Sequence, residues 1–128
     1  MKKYNHESWS IDIPKNWSVD KSDEDCISFY SPDENRSLHI SDYFKEDGHV
    51  TEEEVVEMFE LESYQPTNLE YLHGICNREE AEDEVILSWW LYLENHLVFA
   101  EYICLASEEE KLSGEIESLI YSLRSVHG

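Results

Sequence analysis

Two stretches near the C-terminal third constrain this chain most. Val85-Ile86-Leu87-Ser88-Trp89-Trp90-Leu91-Tyr92-Leu93 is almost continuously apolar, and so is Leu97-Val98-Phe99-Ala100-Glu101-Tyr102-Ile103-Cys104-Leu105. Glu94-Asn95-His96 between them reads as a hairpin loop. Successive side chains of a strand point to opposite faces, so strands this apolar are expected to be covered on both faces. The same alternation sends Trp89 and Trp90 to opposite sides, each expected in a core.

Shorter elements precede the hairpin. Trp9-Ser10-Ile11-Asp12-Ile13 alternates apolar and polar, the period of a half-buried strand, and ends at Pro14. A short strand is expected over residues 17–19, then a polar loop over Ser22-Asp23-Glu24-Asp25. Further strands are expected at Cys26-Ile27-Ser28-Phe29-Tyr30 and around Leu38, Ile40 and Tyr43, with a turn at Pro32-Asp33-Glu34-Asn35. The strands at 9–13, 26–30 and 38–43 would form an antiparallel meander.

Thr51-Glu52-Glu53-Glu54 has the spacing of a capping box, and Val55, Val56, Met58, Phe59 and Leu61 give an apolar face, so a helix is expected over 52–63. Leu69, Tyr71 and Ile75 suggest a strand broken near Gly74, followed by a turn at Asn77-Arg78-Glu79-Glu80. Ser107-Glu108-Glu109-Glu110 repeats the capping-box spacing. Leu112, Ile116, Leu119, Ile120 and Leu123 then recur at helical intervals, so a second helix is expected over 108–125. The fold class expected is α+β: an antiparallel β-sheet flanked by helices as an α/β/α sandwich, in one domain spanning residues 1–128.

Charge limits the partners. Thirty Asp and Glu against nine Lys and Arg give a formal net charge of −21, spread over both halves of the chain. Such a surface repels phosphate backbones and anionic membranes, so neither nucleic acid nor membrane is an expected partner. A basic protein would be attracted. Two acidic clusters are candidates for that contact: Asp20, Asp23, Glu24 and Asp25, and Glu79, Glu80, Glu82 and Asp83. The bland reading of both is solvated surface; charges at a sheet edge also discourage aggregation.

Cys26, Cys76 and Cys104 are odd in number and far apart, which is no disulfide framework. Met1-Lys2-Lys3-Tyr4-Asn5-His6-Glu7 has no apolar segment behind its lysines, and no apolar run reaches the length of a membrane span, so a cytoplasmic location is expected.

Chemistry-bearing motifs are scarce. The glycines Gly48, Gly74, Gly114 and Gly128 are isolated, which excludes phosphate-cradling loops. His73-Gly74-Ile75-Cys76 offers two ligands where a metal needs three or four. Cys26 and Cys104 lie in apolar strands, where thiols are usually inert. No catalytic residue, metal or cofactor is therefore assigned, and the chain is expected to be a non-enzymatic protein-binding module with an acidic surface, in one form an immunity- or antitoxin-type partner of a basic protein. The alternative is a small-ligand-binding or hydrolase-like domain whose site assembles from separate strands, with His39 and Asp42 as the candidate pair.

The N-terminal pattern resembles a known one. An aromatic-led strand, Pro14-Lys15-Asn16-Trp17, a charged loop, and Cys26-Ile27-Ser28-Phe29-Tyr30-Ser31-Pro32 are similar to the PsbP-like fold family, which includes an extrinsic photosystem II protein and a eukaryotic Ran-binding protein. The resemblance implies an antiparallel sheet flanked by helices, in a fold often used as a binding module. It transfers no site residue, and function by fold alone is analogy.

Overall fold

The computed structural model describes residues 1–126. The apolar hairpin is its centre, as β8 (Glu84–Leu93) and β9 (His96–Leu105), joined by the two-residue turn Glu94–Asn95. Around it runs a seven-stranded antiparallel sheet in the order β3 (Ser18–Asp23), β4 (Cys26–Tyr30), β5 (Ser37–Phe44), β9, β8, β7 (His73–Ala81), β6 (Gln65–Asn68). A separate three-stranded sheet sets β2 (Trp9–Ile13) between β1 (Lys2–Asn5) and β10 (Arg124–Ser125). Among the described residues there are two α-helices, α1 (Glu52–Met58) and α2 (Glu109–Tyr121). Among the described residues no helix is long and apolar enough to cross a membrane.

The large sheet is covered unequally. Its inner face carries Ile27, Phe29, Leu38, Ile40, Val85, Trp89, Leu91, Val98, Ala100 and Tyr102. These pack in one cluster with Trp9, Ile11 and Ile13 of β2 and Leu112, Ile116 and Leu119 of α2. The layer on that side is thus part sheet and part helix. On the outer face a smaller cluster joins Ile75, Trp90 and Leu97 to Val50 and Val55, at α1. Beyond it runs a polar row, Ser28, His39, Glu101 and Ser88, flanked by Ser37 and Ser41; past that row Tyr30, Ile86 and Ile103 also face outward, half-buried. A helix covers only part of the outer face, so the α/β/α sandwich expected from β8 and β9 is replaced by a sheet-dominated α+β fold with helices flanking loosely. Trp89 and Trp90 do lie on opposite faces, both buried.

Local differences have local causes. The strand at 9–13 leaves the expected meander for the small sheet, because the chain reverses at Pro14, whose carbonyl accepts from Trp17 N at 3.1 Å. The meander is instead β3–β4–β5, and the polar segment 22–25 shrinks to a turn at Glu24–Asp25 between paired strands. Helix α1 stops short of residue 63 because Glu60 takes a left-handed conformation (φ 52°) and Leu61 N bonds back to Val56 O at 3.0 Å. Its start is as expected: Thr51 Oγ1 accepts from Glu54 N at 3.3 Å. The second capping box does not form. Ala106 N donates to Asp83 O at 2.7 Å, residues Ala106–Glu108 make a 3-10 turn, and Ser107 falls inside it. Helix α2 ends before the expected residue 125, and Arg124 and Ser125 pair with Ser10 and Trp9.

Residues 77–80, expected as a turn, continue β7. Gly74, expected to break the strand, sits inside it. A Cβ there would run into the carbonyl oxygen of Trp90 on the neighbouring strand, so only glycine admits this close pairing. Replacing Gly74 with alanine should therefore destabilise the fold by about 1–3 kcal/mol, the usual effect of overpacking. A urea melt measures it; an unchanged midpoint would refute the strand-approach argument.

Candidate functional site

The two acidic clusters lie apart. Asp20, Asp23, Glu24 and Asp25 belong to the β3–β4 hairpin, and Glu79, Glu80, Glu82 and Asp83 to the β7–β8 hairpin. The first tip stands near the level of Asp42, which pairs with Val98; the second stands beyond Glu84, which pairs with Leu105. At about 3.3 Å per residue along β9 and about 4.8 Å per strand across the sheet, the tips are roughly 30 Å apart, at diagonal corners. Within the second cluster Arg78 bonds Glu80 at 2.6 Å and also grips Glu109 of α2 with two nitrogens, at 2.8 and 2.7 Å. That corner is tied partly to itself.

The first tip faces a groove of about 720 Å³ at the end of the large sheet. Four carboxylates line it, Glu7, Glu24, Asp25 and Asp42, with Lys21 and His6 as its basic side chains. Tyr4, Tyr43 and Phe44 supply aromatic wall. Lys21 lies over the Tyr4 ring, 5.4 Å from its centroid. The His6 ring stacks on Trp9 at 4.8 Å and 9°.

At the bottom of the groove a chain of polar side chains crosses between the two sheets. His6 Nδ1 lies 3.0 Å from Ser8 Oγ and accepts from Ser8 N at 3.2 Å. Ser8 Oγ donates to Asp42 Oδ2 at 2.6 Å. His96 Nε2 is 2.7 Å from the same oxygen, and His96 Nδ1 is 2.7 Å from Ser125 Oγ. A carboxylate only accepts, so the proton of the His96–Asp42 bond sits on Nε2. His96 is 1% exposed, with Phe44 stacked on its ring at 4.1 Å. Burial alone would raise the Asp42 carboxyl, but the hydrogen bonds from His96 and Ser8 outweigh it and hold the group below its ordinary value.

The expected pair His39 and Asp42 does not converge. Three residues apart on β5, the two side chains leave opposite faces. His39 lies on the outer face, 2.7 Å from Ser28 Oγ through Nδ1 and 3.0 Å from Ser37 Oγ through Nε2. Burial pushes it below its ordinary value, against the opposing pull of Glu101. Asp42 meets His96 instead, which the sequence pattern assigns to the hairpin loop Glu94-Asn95-His96. The hairpin turn takes only Glu94 and Asn95, so His96 opens β9. His73 and Cys76 also leave opposite faces of β7, His73 against Tyr92 and Cys76 toward the inner core. Among the described residues no group of three or more His, Cys, Asp or Glu gathers as metal ligands would. Cys26, Cys76 and Cys104 are all pushed up from the ordinary thiol value, chiefly by burial.

A lowered carboxyl stabilises the fold above its unperturbed value, 3.8 for Asp42, and that contribution fades as pH falls through the folded value. Asp42→Ala should thus cost about 1–3 kcal/mol at pH 7, because it strands the buried His96 N–H. The gap to the parent should narrow below about pH 4. Urea melts between pH 7 and pH 3 check this; a gap independent of pH would exclude an ionised Asp42 as the partner.

No protein-family model matches the chain, and no curated protein matches it in sequence. Solved structures do match in shape. A crystal structure from Bacteroides thetaiotaomicron VPI-5482 superposes with a TM-score of 0.74 at 18% identity, over 97% of this chain and 48% of that one. The chain thus spans about half the length of that protein. The solution structure of cyanobacterial PsbP (CyanoP) from Synechocystis sp. PCC 6803 superposes with a TM-score of 0.57 at 9% identity, over 97% of this chain and 91% of that one. At such identities the likeness is one of fold, and the chain has a PsbP-like α+β fold.

Proposed function

We propose that this protein is a non-enzymatic binding module that receives a cationic segment of a basic protein in the groove at the His96 end of the sheet. The observation that carries the reading is the groove's lining: four carboxylates against one lysine, with aromatic wall, on a chain of net charge −21. Lysine and arginine side chains are attracted by such a field and stack on such rings. Glu24 and Asp25 are then the partner-binding members of the first acidic cluster, joined by Glu7 and Asp42, with Asp20 and Asp23 flanking them on β3. Glu79, Glu80, Glu82 and Asp83 serve solubility and the protection of the sheet edge. A cytoplasmic neutraliser of a basic toxin is one concrete form of such a module.

The alternative, a hydrolase-like or ligand-binding domain, draws on the serine–imidazole–carboxylate order of Ser125, His96 and Asp42. Nucleophilic catalysis needs the base and nucleophile open to substrate. His96 is closed over by Phe44, and Ser125 is not among the groove's lining residues. The network suits a tie between the two sheets better.

A short Lys/Arg-rich peptide tests the proposal. It should shift NMR signals of Tyr4, His6 and Tyr43, and binding should weaken steeply as salt rises. Neutralising Glu7, Glu24 and Asp25 together should weaken it about tenfold, three surface charges of about 0.5 kcal/mol each. Neutralising Glu79, Glu82 and Asp83 should leave it nearly unchanged. Absence of binding at low salt, or equal losses from both sets, would defeat the reading.

A further inference from the structure

Beside the groove lies a smaller notch of about 100 Å³, lined by Ser41, Asp42, Tyr43, Phe59, Leu97 and Phe99. It shares Asp42 and Tyr43 with the groove, so the two adjoin at the end of β5. Large apolar side chains are exposed around it: Tyr43 at 50% and Phe59 at 39%, with Phe44 and Met58 at the same two chain segments. Four of the nine large apolar side chains exposed among the described residues thus fall at the end of β5 and the end of α1.

We infer that this notch is the anchor half of the binding site, taking one large aliphatic or aromatic side chain that the cationic partner carries within one or two residues of its Lys or Arg. The inference rests on the reading of the groove as a cation-binding site. Three observations carry it further.

The first is size. A pocket for a small molecule usually has at least about 300 Å³; this notch holds a single side chain. The second is rigidity. Phe59 stacks on Phe99 at 5.9 Å and 22°, and both rings touch Trp90, at 5.7 and 5.4 Å. Trp90 is 5% exposed and belongs to the cluster that holds α1 on the sheet. The walls are therefore set before a partner arrives, and little side-chain freedom is lost on binding. Aromatic rings held this way are the usual anchors of interfaces. The third is charge. A second copy of this chain would bring another acidic groove against the first, and like charges would oppose the contact. Complementarity selects a basic partner, and the shared walls Asp42 and Tyr43 keep its anchor close to its cation.

Two peptides test this: a flexible Lys/Arg-rich one, and the same peptide with a leucine next to its central basic residue. Titrated against the parent protein, the leucine should tighten binding about tenfold. In Phe59→Ser and, separately, Phe99→Ser, neither of which lines the groove, the leucine gain should vanish while the affinity of the leucine-free peptide stays within twofold. Thermal melts confirm that each variant is folded, and Phe59, 39% exposed at the end of α1, is the variant less coupled to the core. Binding of both peptides with equal affinity overturns the anchor and leaves the acidic groove standing. Failure of the leucine-free peptide to bind at low salt overturns both. Sedimentation showing a dimer that Phe59→Ser dissolves would also overturn the inference, since the occupant would then be a second copy.

Discussion

Everything in this fold depends on the apolar seam between the seven-stranded sheet and the layer built by β2 and α2. Trp9, Ile11, Ile13, Phe29, Leu38, Val98 and Tyr102 are all essentially excluded from water there. Burying side chains of this size contributes about 1.5–3 kcal/mol each. That seam must hold against a surface of net charge −21, whose self-repulsion favours expansion. The few cations are placed accordingly. Arg78 joins β7 to α2 through Glu109, Arg36 approaches Glu115 of α2 at 3.5 Å, and Lys45 meets Glu54 of α1 at 2.7 Å. The first two link elements distant in sequence; α2 is tied by two such pairs and α1 by one. Being partly exposed, such pairs add little energy apiece; their arrangement keeps local repulsion low where helices meet strands.

At one end the apolar seam gives way to the polar chain from His6 to Ser125. Its members come from the segment between β1 and β2, from β5, from β9 and from β10. It therefore closes the end of the core where side chains of both sheets meet water. A buried polar group is expensive unless bonded, and once bonded it fixes register. Here it holds the small sheet against the ends of β5 and β9, and this leaves the groove beside it with a defined floor. Binding surface and structural tie are thus two sides of one arrangement.

How much of this was legible in the sequence follows from which forces are local. The central hairpin, β2, β4, β5 and the cap of α1 were readable because their patterns are set by neighbouring residues. The small sheet was not. Lys2-Lys3-Tyr4-Asn5 has no apolar alternation, and Arg124–Ser125 reads as helix from the pattern before it; both become strands only because β2 offers them open edges. Gly74 looked like a break because its actual requirement, the nearness of Trp90's backbone, belongs to another strand. The same holds for the site. The carboxylates of the β3–β4 hairpin were visible as a cluster, but Glu7 and Asp42 join them only through the fold. His39 and Asp42, the candidate pair, fall on one strand three residues apart, and strand parity sends them to opposite faces.

The half-covered outer face carries the last step. A sheet whose outward apolar patch is bounded by the polar row Ser28, His39, Glu101 and Ser88 is covered there by a short helix, and α1 supplies it. Had β4 and β5 been as apolar outward as β8 and β9, a longer helix would have been required, and its body would have crossed Ser41 and Tyr43. The serines and His39 on those strands let the outer layer stop early. That economy leaves Tyr43, Phe59 and Phe99 at the margin of the covered area, next to the acidic groove. The sequence feature that limits the helix layer is therefore also the one that opens the recognition surface.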